Sequence, residues 1–194
     1  MNLVDRVKKI LIQPKQEWPV IATEPHTVQD IFTSYVMILA AIPAVAGFIG
    51  LSLVGATGFG FTYRVPIGAG IAYMIISYVL GLGSVYAVAM IIDALAPHFG
   101  AEKDFMQSLK VAAFFPTAAW VTGIFNILPA LGILALVGGL YSLYLLYLGL
   151  GELKRTPDEK MVPYTVVVLI SAIVLWVVIA ALTAMAIPGP VRGF

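Results

Sequence analysis

The stretch YTVVVLISAIVLWVVIAALTAMAI, residues 164–187, runs for 24 positions without a charged side chain. As a helix it is about 36 Å long at 1.5 Å per residue, enough to cross a hydrocarbon core of about 30 Å. Its apolar residues are continuous and do not alternate, which predicts a helix and not a barrel strand. Four earlier stretches read the same way: Thr33–Val54, Ile67–Ile92, Leu109–Leu128 and Gly132–Leu150. Breakers separate them: Gly55, Gly58, Gly60 and Pro66, then Pro97 and Gly100, then Pro129, then Thr156, Pro157 and Pro163. Leu109–Leu150 taken as one helix would be about 63 Å long, roughly twice a bilayer, so a tight hairpin is predicted at Pro129.

Composition agrees. Of 194 residues 61% are apolar and 11% are charged, with a mean hydropathy of +1.00. Water-facing domains carry about 25% charged residues, so lipid must be the solvent for much of this chain. The expected fold is all-α: a polytopic five-helix transmembrane bundle spanning residues 33–187. A cytoplasmic N-terminal arm, 1–32, precedes it and a short outer tail, 188–194, follows. A net charge of +1 gives no basis for nucleic acid as a partner. No cysteine is present, so there is neither a disulfide framework nor a thiolate metal site.

Charge sets the expected orientation. Nine cations (Arg6, Lys8, Lys9, Lys15, Lys103, Lys110, Lys154, Arg155 and Lys160) fall on the side of the N-terminus, against Arg64 and Arg192 on the other. That places the N-terminus inside and, after an odd number of spans, the C-terminus outside. Within the arm, Leu3, Val4, Val7, Ile10 and Leu11 recur at helical spacing among Asp5, Arg6, Lys8 and Lys9. This pattern predicts a short amphipathic helix on the inner membrane surface, anchored by Arg6, Lys8 and Lys9, with Trp18 at the headgroup level. Thr27-Val28-Gln29-Asp30 reads as a capping box opening the first span.

Asp93 is the most informative ionisable residue, at the inner end of the second span. Burying it costs a few kcal/mol unless it is paired, and Lys110, at the same end of the third span, is the expected partner. His98 follows five residues later, and Asn126 is placed to hydrogen-bond across helices. Asp93, His98, Lys110 and Asn126 are therefore the candidate polar residues, either as ties between helices or as a proton or ligand path, although Asn126, near the outer end of its span, is too far from Asp93 to share one site with it. No set of metal ligands, phosphate loop or nucleophile with a base is apparent, so no cofactor is expected and enzyme is the least supported class. Ser77-x-x-x-Gly81, Ala40-x-x-x-Ala44, Ala46-x-x-x-Gly50 and Ala119-x-x-x-Gly123 predict close helix packing. Tyr141, Tyr144 and Tyr147 predict a packing seam on the fourth helix, because their hydroxyls need partners.

Several stretches in order resemble the bacterial branch of the Yip family of integral membrane proteins. They are Pro14-x-x-Glu17-Trp18, Ile92-Asp93-x-Leu95-Ala96-Pro97-x-Phe99-Gly100, Ser108-Leu109-Lys110-Val111-Ala112, residues 140–149 (LYSLYLLYLG) and Tyr164-Thr165-Val166-Val167-Val168. The resemblance implies five helices, a cytoplasmic N-terminus, a bacterial inner (plasma) membrane location and no enzymatic role. Eukaryotic relatives, named for binding Rab-type GTPases, carry a longer N-terminal region with an Asp-Leu-Tyr-Gly-Pro-type motif. That motif is missing here, so GTPase binding does not carry over. The expected function is a membrane scaffold or adaptor. Its partners would be membrane lipids and a membrane or cytoplasmic protein, or a second copy of the chain. The alternative is a small transporter or lipid-translocating protein using Asp93 and Lys110.

Overall fold

The structure is a computed structural model that describes residues 2–58 and 61–184. The outer tail expected at 188–194 lies outside the described residues. Two short helices, α1 (Leu3–Ile12) and α2 (Pro14–Thr23), form the arm. The first span, α3, runs over Val28–Val54, and a hairpin of β1 (Ala56–Gly58) and β2 (Phe61–Tyr63) follows it. Then come α4 (Ile67–Leu95), α5 (Phe105–Phe114), α6 (Thr117–Thr122), α7 (Gly132–Lys154) and α8 (Asp158–Ala184). Five of the helical segments are long and apolar enough to cross a membrane, with α5 and α6 together making the third.

Local sequence explains the boundaries. Thr27 and Asp30 form the reciprocal capping box that opens α3. π-helical turns at Phe32–Val36 and Ile49–Val54 interrupt α3, a departure that its uniform hydrophobicity does not signal. Pro116 divides the third span, since it has no N–H to donate and its ring crowds the carbonyl of Ala112, and α6 restarts at Thr117. Ala119, in the first turn of α6, donates its N–H to Ser142 Oγ of α7 at 3.1 Å, satisfying a group the break would leave open. After 3₁₀ turns at Gly123–Ile127 and Pro129–Leu131 the chain reverses into α7, as a hairpin at Pro129 requires. Gly100 ends the turn after α4 with φ +66°, a left-handed conformation suited to glycine.

The spans form a ring in which each helix packs on the next: α3 on α4, α4 on α8, α8 on α7, α7 on α6 and α6 back on α3. α5 fills the ring at the end nearest the arm, between α4 and α7, with Leu109, Val111, Ala112, Ala113 and Phe114 buried. Tyr35 of α3 ties into this core through its hydroxyl, 2.7 Å from Thr117 Oγ1. The outward faces of α7 and α8 are apolar and exposed, including Leu136, Leu140, Ile170 and Trp176, as a lipid-facing surface must be.

The arm departs from expectation. The short helix expected over Leu3–Leu11 is present as α1, but it is followed by α2, and the two form a helical hairpin clasped along α7. Gln13 breaks the two helices and Pro14 starts the second, where a missing N–H costs nothing. Trp18 packs over Gly149, and Tyr141 donates its hydroxyl to Leu11 O at 2.7 Å. These anchors are eight residues apart on α7, about 12 Å along its axis. Trp18 is 1% exposed, so it is sequestered from the headgroup layer where it was expected. Arg6 is also buried, while Lys8 and Lys9 remain exposed and Lys9 pairs with Asp5 at 2.8 Å. Of the tyrosine stripe only Tyr141 serves the seam; Tyr144 and Tyr147 face outward.

Candidate functional site

Two polar clusters occupy the arm end of the bundle. In the first, α4 contributes Asp93, α5 contributes Ser108, and α7 contributes Lys154. Lys154 is fully buried, with its Nζ 3.4 Å from Asp93 Oδ1 and 2.9 Å from Asp104 O. Ser108 Oγ donates to Asp93 Oδ1 at 3.2 Å or to Asp104 O at 2.9 Å. The fifth span joins through Tyr164, whose hydroxyl donates to Ile92 O at 2.5 Å and whose ring stacks on Phe99. The ion pair and its hydrogen bonds thus tie α4, α5 and α7 together, and Tyr164 fastens α8 to α4 beside them.

Lys110, expected to pair with Asp93, faces the arm instead. Its ammonium donates to Ala22 O at 3.1 Å and Glu24 O at 2.8 Å, and Gln107 Nε2 adds a bond to Ala22 O at 3.1 Å. These carbonyls are at the C-terminus of α2, where the helix dipole is negative and the last oxygens have no intrahelical donor. A lysine there satisfies both needs. Lys110 and Lys154 sit at the same end of neighbouring helices, and rotation about the helix axis decides which of them meets Asp93.

The second cluster stabilises the arm hairpin. The Arg6 guanidinium bonds both Glu17 and Glu24, and His26 Nε2 is 3.0 Å from Glu24 Oε2. Arg6 and Glu17 are each 6% exposed, so each would be costly to bury without the other. Partial burial of Glu24 raises its pKa, but hydrogen bonds from Arg6 and His26 outweigh that, holding the carboxyl below the ordinary glutamate range. Such a group stabilises docking fully above the unfolded glutamate pKa of about 4.3 and loses the contribution as pH falls through its lowered value. Protection of the α1 and α2 amides, measured as exchange relative to the intrinsic rate at each pH, should therefore hold from neutral pH down to that range and fall below it. An arm that opened well above it would assign the dependence to another group.

His98 is exposed on the turn Ala96–Phe99 and belongs to neither cluster. Asn126 is far from both, in the 3₁₀ turn before Pro129, where its backbone carbonyl lies against Gly50. The four sequence candidates therefore do not form one site. Ser108, Lys154, Glu17, Glu24 and His26 were missed. Charged residues near a loop read as solvated, and nothing in the spacing shows that they turn inward. Among the described residues no group of three His, Asp or Glu side chains is placed to hold a metal ion.

Comparison with known proteins supplies the family. The Yip1 domain model matches residues 8–179. The inner membrane protein YohC of Escherichia coli K12 is 26% identical over 174 residues, covering 88% of this chain and 89% of the relative. The protein of the same name from E. coli O6:H1 matches to the same extent. No solved structure matches. The match takes in α2 with Trp18, the Asp93–Lys154 cluster, the carboxylates of the second cluster but not Arg6, and most of α8, and the five membrane-spanning helices suit an inner-membrane location. This chain is a multi-pass inner-membrane protein and belongs to the Yip1 domain family.

Proposed function

We propose that this protein is a non-enzymatic membrane scaffold whose arm end faces the cytoplasm and binds a protein partner. The observation that carries the reading is the use made of buried charge. Arg6, Glu17, Lys110 and Lys154 are all spent on ties between helices, which favours a rigid platform over a conducting path. Exposed around it are Lys8 and Lys15 of the arm and Lys103 before α5, available for recognition, and an Arg155–Glu102 surface pair after α7. The excess of cations at this end supports a cytoplasmic orientation. The transport reading would need Asp93 and Lys110 on one path, and their separate partners weigh against it.

The test is native mass spectrometry of protein released gently from its own membranes, with and without charge reversal at Lys8, Lys15 and Lys103. The expected result is a defined complex with another protein, or with a second copy, that the reversal dissolves. A monomer whose reconstituted vesicles show a flux abolished by Asp93→Asn would overturn the proposal. Because the chain has no cysteine, single cysteines at Lys15 and Arg64 test orientation directly. An impermeant maleimide applied outside intact spheroplasts should label only the second.

A further inference from the structure

A hollow of about 660 Å³ lies inside the helix ring, within the range of about 300–1,000 Å³ typical of pockets that enclose a ligand. Its walls combine small residues, among them Ala44 and Gly47 of α3, Ser77 and Gly81 of α4, Ala119 of α6 and Ala180 of α8, with larger apolar and aromatic ones. We propose that this hollow binds an acyl chain of a bilayer phospholipid.

The small residues here keep space open and do not bring helices into contact. A side chain added at Gly47 or Gly81 would meet nothing within 4 Å. At Gly123 the same residue spacing does the opposite, since an added Cβ would come within 2.7 Å of Pro43 Cβ. The expected close packing thus holds at Gly50 and Gly123 and fails at Ser77-x-x-x-Gly81.

The chemistry of the walls selects the occupant. Ser77 Oγ donates to Met74 O at 3.1 Å, Ser84 Oγ to Gly81 O at 2.6 Å, and Tyr78 OH to Met37 O at 2.9 Å. These hydroxyl protons are spent on helix carbonyls; Asn126 and Tyr73 add polar groups to a lining that is otherwise mostly apolar, and no charged residue is among the described lining residues. An interior water needs two to four polar partners, and a polar solute needs more. Hydrocarbon needs none. An apolar space left empty forfeits the dispersion contacts of its walls, and in a bilayer the medium at hand to fill it is lipid chain. A partner's helix is a poor occupant, because each helix of the ring packs on the next and one would have to part them. A methylene chain needs only a gap of its own width.

The lining on α4 ends at Val88, five residues before Asp93. The hollow is therefore separate from the polar clusters, and the inference stands whether or not the platform has a partner.

The test uses the full chain in vesicles of phosphatidylethanolamine and phosphatidylglycerol carrying a trace of phospholipid with a diazirine on its acyl chain. After irradiation and digestion, adducts should concentrate on the segments holding Gly81 and Ala119, above those at the outward-facing Leu136 and Leu140. Gly81→Phe should remove the interior adducts. Gly83→Phe, on an exposed face of the same helix where an added side chain also meets nothing, should leave them. Adducts confined to outward faces would overturn the proposal in the unmodified protein, independently of how either variant folds. So would a Gly81→Phe protein with unchanged unfolding temperature and undiminished interior labelling. Interior labelling by a diazirine fatty acid but not by the phospholipid would overturn it too.

Discussion

Asp93→Asn lowers the stability of the folded chain by about 3 kcal/mol, the low end of the cost of leaving a buried charge without its partner. The charge left behind is Lys154, which has no exposure to solvent and retains only neutral acceptors such as the carbonyl of Asp104. The low end is expected because the ion pair is long, at 3.4 Å, and Asp93 is itself partly exposed. Adding Lys154→Met removes the stranded charge and recovers part of the loss. Adding Lys110→Met recovers none, since Lys110 holds the arm and not Asp93. Unfolding in mixed micelles, run as a double-mutant cycle for each lysine, separates the two. Rescue by Lys110→Met would contradict the assignment of partners.

The second large effect is expected at Trp18. Trp18→Ala removes a fully buried aromatic side chain, a change that typically costs about 3–5 kcal/mol. Here the loss is capped by the free energy of docking the arm, because the hairpin can open while the five spans stay folded. Gly149→Val attacks the same contact from the other side: a Cβ at Gly149 would lie 2.8 Å from the Trp18 ring. Both variants should speed hydrogen exchange across Leu3–Thr23 and leave exchange in α4 and α7 near the parent rate. Equal acceleration through all helices would mean that the arm and bundle unfold together. No change would mean that the ring is not the anchor.

The two predictions mark how far the sequence could be read. Five spans followed from uninterrupted apolar runs, and the hairpin at Pro129 followed from helix length alone. Family resemblance rested on ordered motifs, and the family model matches that same stretch. The partner of Asp93 was less accessible. Hydropathy fixes the level of a residue along a helix axis, but not which way the helix is turned, and two lysines share the level of Asp93. Arg6, Glu17 and Glu24 were hidden for another reason: a charged residue in an amphipathic segment is normally solvated, and only the folded hairpin turns these three inward. The small-residue spacings carried the same ambiguity, because a residue without bulk serves a tight contact at Gly123 and an open space at Gly81.

The arm's attachment also bears on the order of assembly. Leu11 meets Tyr141 across 130 positions of sequence, and Glu24 meets Lys110 across 86. Chains are made from the N-terminus, so α1 and α2 leave the ribosome before the helix that receives them exists. Until α7 has been inserted the hairpin has only part of its seat, the Lys110 and Gln107 bonds from α5, and its tryptophan remains accessible. Seating of the arm therefore reports that the fourth span is in place, a completion signal written into a contact between the first-made and late-made parts of the molecule.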